Sequence, residues 1–173
     1  MKFTLEAQSG KARAATIQTE HSTIQTPVFM PVGTVGSIKS LDMYDMDEIL
    51  GAQIILANTY HMYLRPGDEN VAKMGKLHKY TPFPKSFLTD SGGFQAFSLS
   101  DISKPKEDGI EFKSHIDGSK FKLTPELAVE IQETLGSDIH MVLDECTTWP
   151  VAKNTTGLLP TTPWNRSHHK SLW

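Results

Sequence analysis

The sequence predicts an α/β fold in which short buried strands alternate with helices and pair in parallel. Four apolar runs, each ending in polar or glycine-rich residues, are separated by segments with helical periodicity. Parallel strands need crossover connections of this kind, and such crossovers are right-handed. The runs are TPVFMPVGT (26–34), AQIILANTYH (52–61), KSFLTDSGGF (85–94) and SDIHMVLDEC (137–146).

The composition is that of one globular domain. The chain has 173 residues, of which 38% are hydrophobic and 21% charged. A net charge of -3 supplies no global basic field, so any nucleic acid would be bound through local contacts. The single cysteine excludes an internal disulfide, and the N-terminal segment lacks the apolar stretch of a signal peptide. We therefore expect a cytoplasmic protein with no membrane association.

Two β-hairpins flank or interrupt the strand–helix alternation. Within residues 1–25, polar and apolar residues alternate on either side of a Ser9-Gly10 turn. The insertion 109–123 alternates in the same way around Asp117-Gly118, which is a strong turn signal.

Three segments have helical patterns. Gly51 can end a helix over residues 40–51, Pro66 begins a shorter one, and Thr124 can cap a third whose first position suits Pro125. The predicted apolar faces are Met43, Met46, Ile49 and Leu50 in the first helix, and Leu127, Ala128, Ile131 and Leu135 in the third.

The candidate site lies where the strands end. Asp90 follows the third apolar run and precedes Ser91-Gly92-Gly93. Paired glycines let the backbone approach a ligand closely, and the Ser91 and Gly92 amides are expected to donate to a flat polar group. The alternative is that Asp90 caps a helix beginning near Phe94.

Polar residues also follow the second and fourth runs. Asp144 can accept two parallel hydrogen bonds from a donor–donor edge such as that of guanine, although Asp144 and Glu145 are alternatively two solvated acids in a loop. Asn58 is a further candidate, His61 is a weaker one, and Cys146 is interpreted as lining a pocket.

Several other chemistries find no support in the sequence. Ser91 lacks the glycine spacing of a nucleophile elbow, and the chain has no GxxxxGK[ST] phosphate loop. His168 and His169 are interpreted as surface residues, and no metal-ligand set is recognised in this chain.

Five motifs in a fixed order resemble the bacterial tRNA-guanine transglycosylases, the base-exchange enzymes of queuosine synthesis. They are TPVFMPVGT, ILANTYHMYLRPG, FLTDSGGFQAFSL, HIDGSKFKLTPE and MVLDECT, and the resemblance covers about residues 3–153. It implies a (β/α)8 TIM barrel with an N-terminal antiparallel sheet. Residues 26–153 would form about the first four strands of an incomplete barrel.

The resemblance also implies a reaction and its participants. Family members attack C1′ of the wobble guanosine with an aspartate, release guanine and insert preQ1 through a covalent ribosyl-enzyme. The implied partners are tRNAs with GUN anticodons (Asp, Asn, His and Tyr types), guanine and preQ1, and full-length members form homodimers.

The family's site residues map onto this sequence by motif. Asp90 matches the general acid/base, Asp144 matches the acid that recognises the guanine edge, and Cys146 favours preQ1 over queuine. The implied base pocket comprises Asp90, Ser91, Gly92, Gly93, Phe94, Asp144, Asn58 and Cys146.

Other family features lie beyond the matched part. They are the nucleophilic aspartate, basic tRNA-binding segments and a Cys3His Zn²⁺ site, whose ligands this chain lacks. We therefore expect this polypeptide alone to be inactive in base exchange, the alternative function being a non-catalytic base-binding or partner-binding module. The tail 154–173 is atypical, since NTTGLLPTTP (154–163) opposes a helix, as a compensated pair of frameshifts would leave it.

Overall fold

The computed structural model describes residues 1–98, 104–106 and 108–144. These residues form two compact units. The first comprises residues 1–92 and 128–142, and the second contains residues 93–127 and the segment that follows residue 142. The predicted tail 154–173 lies outside the described residues. Both units combine helices with small sheets, so the fold is a mixed α/β fold, as the sequence predicts.

The first unit opens with a three-stranded antiparallel sheet. Its strands, in spatial order, are β1 (Lys2–Ser9), β2 (Ala12–Gln18) and β3 (Thr23–Thr26), with a register shift between Leu5 and Ala7. The predicted hairpin is confirmed. The sequence does not predict the third strand, because TIQT is too short to display a clear alternation.

Hydroxyl groups attach this N-terminal sheet to the first residue of a strand in a second sheet. Ser86 Oγ lies 2.8 Å from Thr19 Oγ1 and 2.5 Å from Ser22 Oγ, and both partners belong to the β2–β3 turn. Ser86 is fully buried, so these contacts satisfy a polar group that would otherwise be costly to bury.

The second sheet of this unit is parallel. Its strands, in spatial order, are β4 (Ile54–Ala57), β5 (Ser86–Thr89) and β9 (Ile139–His140). Ile55 and Phe87 are fully buried at its centre. Parallel pairing of the second, third and fourth apolar runs is therefore confirmed. Within the described residues the sheets do not close into a barrel.

The first apolar run (26–34) is not the regular strand that the sequence predicts. Apart from Thr26, which ends β3, only Val32 in this run pairs, in an isolated bridge parallel to Leu56. The backbone still pairs around it, because Leu56 N–H donates to Pro31 O at 2.9 Å and Gly33 N–H donates to Leu56 O at 2.8 Å. Pro27 and Pro31 lack N–H donors, which explains why the ladder is so short.

The structure also differs from the prediction of a helix over residues 40–51, because the predicted apolar face is only partly buried. A five-residue π-helical turn, Asp45–Ile49, forms in the middle of this segment, and Leu50 N–H donates to Asp45 O at 2.9 Å. This wider turn buries Met46 but leaves Ile49 67% exposed. Gly51, at φ 62°, ends the segment as predicted.

Short helices connect β4 to β5. They are α1 (Thr59–Leu64), α2 (Asp68–Lys73) and α3 (Leu77–Tyr80). Where the sequence predicts one helix after Pro66, Gly75 and Lys76 both adopt positive φ and divide it in two.

The long helix α5 (Pro125–Leu135) agrees with its prediction. Thr124 Oγ1 accepts the Leu127 N–H at 3.1 Å, which is the expected N-terminal cap. Its buried residues are Ala128, Ile131, Gln132 and Leu135. Leu127 is only half-buried.

The second unit contains α4 (Gly93–Ser98) and a three-stranded antiparallel sheet. The strands, in spatial order, are β6 (Lys104–Lys106), β7 (Gly109–Lys113) and β8 (Lys120–Leu123). The predicted hairpin over 109–123 is confirmed, with Gly118 at φ 75° in the turn. Among all the described residues, no helix has the length and apolar character needed to cross a membrane.

Candidate functional site at the carboxyl ends of the parallel strands

The neighbouring strands β4 and β5 bring Asn58 and Asp90 together. Ala57 is paired with Thr89 in the parallel register, so the next residue of each strand leaves the sheet at the same edge. Asp90 N–H still donates to Ala57 O at 3.2 Å. The site therefore begins on the rigid end of the sheet and not on a long loop.

The Asp90 carboxylate is held by donors from both strand ends. Oδ2 accepts from Asn58 Nδ2 at 2.5 Å, and Oδ1 accepts the backbone N–H groups of Thr59 at 2.9 Å and Gly92 at 3.1 Å. Thr59 also donates its hydroxyl to the Asp90 carbonyl oxygen. Such contacts fix the orientation of the carboxylate.

Asn58 has two roles at once. Its Oδ1 accepts the His61 N–H at 3.0 Å and caps α1, while its Nδ2 donates to Asp90. The side chain is buried, so its orientation is fixed by these partners. His61, a weaker candidate, is half-buried, and its ring packs edge-on against Tyr60.

The backbone after Asp90 corrects one expectation. The sequence predicts that the Gly92 N–H donates to a ligand, but it donates to Asp90 Oδ1 in a tight turn. Gly92 has φ 73°, and a Cβ there would lie 3.0 Å from Tyr60 N. A Cβ at this position would crowd the start of α1, which would have to shift by a few tenths of an ångström.

The remaining predicted residues are placed as follows. Ser91 is 6% exposed and belongs to the first unit. Gly93, which is buried, and Phe94, which is 59% exposed, begin the second unit. Asp144 is exposed in the second unit. Glu145 and Cys146 lie outside the described residues. The alternative interpretation has Asp90 capping a helix that begins near Phe94. In the structure Asp90 accepts the Thr59 N–H at the start of another helix, α1.

A second cluster of titratable groups has no signal in the sequence. His21 Nδ1 lies 2.7 Å from Asp138 Oδ1, and His78 Nε2 lies 3.2 Å from Asp138 Oδ2. Burial would raise the pKa of Asp138, but hydrogen bonds from the two histidines and the Phe87 N–H outweigh it and hold that pKa well below its usual range. No local pattern joins residues so far apart in the chain.

These features define an α/β protein with an oriented carboxylate at the carboxyl ends of parallel strands, next to a turn in which Gly92 leaves little room for a side chain. The chain belongs to the queuine tRNA-ribosyltransferase family, because the profile of that family matches residues 8–167. Family members are of the TIM-barrel type.

Curated relatives named queuine tRNA-ribosyltransferase are closely similar. The chain is 56% identical to that of Oleidesulfovibrio alaskensis over 165 residues, which cover 94% of this chain and 44% of the relative. It is 62% identical to that of Helicobacter pylori strain J99 over 145 residues, 84% of this chain and 39% of the relative. For Herpetosiphon aurantiacus the identity is 59% over 148 residues, 86% of this chain and 38% of the relative. The chain thus spans about two fifths of the length of these relatives.

The zinc site implied by the family resemblance does not fit this chain. A Cys3His set needs three thiolates, whereas the sequence contains one cysteine, Cys146. The cluster of His21, His78 and Asp138 offers two nitrogens and one oxygen, so it is not the Cys3His site.

Proposed function

We propose that this chain supplies the base-binding part of a tRNA-guanine transglycosylase. In this reaction the wobble guanine of tRNAs with GUN anticodons is exchanged for preQ1 through a covalent ribosyl-enzyme. The proposal rests on the family, on the 56–62% identity to the relatives and on the Asp90 site.

The observation that carries the proposal is the anchoring of Asp90. A group that removes a proton from an incoming base must be held at a defined distance from it. Asp90 is held on three sides by Asn58, Thr59 and Gly92, yet its carboxylate is only partly buried. Asp90 acts in our proposal as the general acid/base.

The other residues form the pocket in the same proposal. Asp144 pairs with the donor edge of the base, because a carboxylate accepts two parallel hydrogen bonds there. Phe94 offers a ring on which a planar base stacks. Ser91, Gly92, Gly93, Asn58 and Cys146 complete the lining.

The proposed architecture is the first part of a TIM barrel. The parallel pairings of Val32, β4, β5 and β9 would be its first four strands, within a domain spanning residues 26–153. Residues 1–25 precede this domain and residues 154–173 follow it. The nucleophilic aspartate, the Zn²⁺ site, most tRNA contacts and the homodimer interface belong to the remaining length of the family protein, and the enzyme works in the cytoplasm.

The test is the incorporation of radiolabelled guanine into a GUN-anticodon tRNA by the protein as its source organism produces it. We expect Asp90→Asn to lower the exchange rate by about 10²–10⁴-fold, the usual contribution of a general acid/base. Glu69→Gln is the control, because Glu69 is an exposed acid on α2. Equal rates for the Asp90→Asn variant and the control would contradict the proposed role.

The alternative module gives a different result in the same experiment. A non-catalytic base-binding protein would bind preQ1 in equilibrium dialysis, would lose that binding on Asp90→Asn, and would exchange no guanine. A protein that neither binds preQ1 nor exchanges guanine would refute both hypotheses.

A further inference from the structure

A cavity lies at the amino ends of β5 and β9, whereas Asp90 follows the carboxyl end of β5. Its volume is about 580 Å³, and its lining includes His21, His78, Asp138, His140 and Glu133. All of these residues belong to the first unit. In parallel α/β folds this end of the strands ordinarily serves stability and not catalysis.

Three elements converge at one edge of this cavity. His21 comes from the turn between β2 and β3, His78 from α3, and Asp138 from the residue before β9. One nitrogen of each ring and one carboxylate oxygen all lie within 4.8 Å of one another. This donor set, N2O, is one that zinc-like divalent cations accept readily.

The carboxylate is already oriented. The Asp138 side chain is 1% exposed, and its Oδ2 accepts the Phe87 N–H at 2.9 Å. A backbone donor of this kind is the usual outer partner that fixes a metal-binding carboxylate. Oδ2 also contacts His78, whereas Oδ1 contacts His21, so Oδ1 is the oxygen less engaged by other donors and the natural ligand atom.

The two imidazole rings are stacked, with centroids 3.5 Å apart and an interplanar angle of 13°. The stacking places the two rings side by side against the same carboxylate. A cation that binds the two ring nitrogens must displace the protons that they share with Asp138.

We propose that His21 Nδ1, His78 Nε2 and Asp138 Oδ1 bind a divalent cation of the zinc class. A tetrahedral cation with bonds of about 2.0–2.1 Å needs ligand atoms about 3.3 Å apart. His78 Nε2 lies 3.2 Å from the other carboxylate oxygen, Oδ2, and one ligand atom of each of the three residues lies within 4.8 Å of the others, so small side-chain movements can reach this spacing. The His21 contact, at 2.7 Å, must open by about 0.6 Å, which is feasible because the ring is 34% exposed in a turn.

The fourth position faces the cavity and would hold water. Such a cation joins the N-terminal sheet, α3 and the start of β9, so its effect is to stabilise the first unit against unfolding. Its ligands differ from those of the family's Cys3His site. It would stabilise the fold and take no part in the chemistry at the strand ends that carry Asp90.

The experiment is a titration of the metal-stripped protein with Co²⁺, whose visible absorption reports tetrahedral coordination, followed by displacement with Zn²⁺. We expect saturable absorption that Zn²⁺ removes, and a rise in the unfolding temperature with Zn²⁺ but not with Mg²⁺. His21→Gln and His78→Gln should each weaken Co²⁺ binding by on the order of 100-fold, at the upper end of losses seen for supporting residues.

His115→Gln is the matched control, because His115 is exposed in the second unit. Circular dichroism establishes that each variant remains folded. His21→Gln should disturb the fold less than His78→Gln, because the His78 ring also packs edge-on against Phe87. If the unsubstituted protein shows no Co²⁺ absorption, or if both variants bind as the control does, the metal site is refuted and the three residues are a hydrogen-bonded triad only.

Discussion

The Asn58 side chain makes two contacts, and substitutions can separate their effects on stability and on activity. Its Oδ1 caps α1 and its Nδ2 holds Asp90. Asn58→Ala should lower the free energy of unfolding by about 1–2 kcal/mol through loss of the cap. Asn58→Ser should recover most of that stability, because serine also caps, yet it cannot reach Asp90.

We therefore expect both Asn58 variants to lose exchange activity to a similar degree while differing in stability. Urea denaturation measures the stability, and guanine incorporation by the protein as its source organism produces it measures the activity. If activity recovers together with stability in Asn58→Ser, the contact with Asp90 is not what positions the carboxylate.

Gly92 illustrates a constraint that its neighbours impose. Its φ of 73° already disfavours alanine, and the added Cβ would meet Tyr60 N at 3.0 Å. Gly10, at φ 58°, has the same backbone strain, but a methyl group added there would meet nothing within 4 Å. Gly10→Ala should cost about 1–2 kcal/mol from strain alone, and Gly92→Ala about 1–3 kcal/mol more from crowding. Equal losses in urea denaturation would show that Tyr60 moves aside without cost.

At the scale of elements, the β7–β8 hairpin depends on its acidic turn. Asp117 Oδ1 accepts the Ser119 hydroxyl at 2.6 Å and the Ser119 N–H at 3.1 Å. The Ser119 hydroxyl is the main cause of the lowered pKa of Asp117, with the Ser119 N–H next.

The sign of the resulting pH dependence follows directly. A carboxyl group whose pKa is lower in the folded state contributes stability above its unfolded pKa of about 3.9, and this stability is lost as the pH falls below that value. Ser119→Ala should thus raise the pKa of Asp117 toward its ordinary value. It should also destabilise the protein at neutral pH but not in strong acid. NMR titration of the Asp117 carboxyl carbon checks this, and an unchanged pKa in the variant would contradict it.

Elements with local signals are predictable from the sequence. Thr124 and Pro125 mark the start of α5, and Asp117-Gly118 marks the hairpin turn, because capping and turn geometry act over a few residues. The strand over 26–34 and the helix over 40–51 cannot be predicted in this way. Prolines interrupt the strand and a π-helical turn changes the helix, although both segments have the expected apolar pattern.

The candidate site, like the fold, can be predicted only in part from the sequence. Asp90 and Asn58 can be chosen because each follows a strand, but their hydrogen bond depends on the register between β4 and β5. His21 and Asp138 are 117 residues apart, so only the tertiary structure brings them together.

At the scale of the whole molecule, exposed apolar side chains accompany the outer strands of the parallel sheet. Within the described residues β9 pairs only with β5, and beyond β4 there is only the Val32 bridge. Phe29 is 83% exposed beside that bridge segment. Apolar side chains at open strand edges promote association with other chains.

We expect the 173-residue polypeptide to self-associate at micromolar concentration and Phe29→Lys to reduce this association. Met74→Lys is the control, because Met74 is also exposed but follows the short helix α2. Sedimentation velocity measures the effect. Equal suppression by both variants would indicate that added charge, and not the strand edge, governs association.

The hydroxyl contacts of Ser86 also bear on the order in which the chain folds. Thr19 and Ser22 precede Ser86 by 67 and 64 residues, whereas β1, β2 and β3 are joined by short turns. Local contacts form faster than distant ones. During translation, therefore, the N-terminal sheet can assemble while the strand that will support it has yet to leave the ribosome. In pulse-labelled refolding, we expect the β1–β3 amides to gain protection before those of β5.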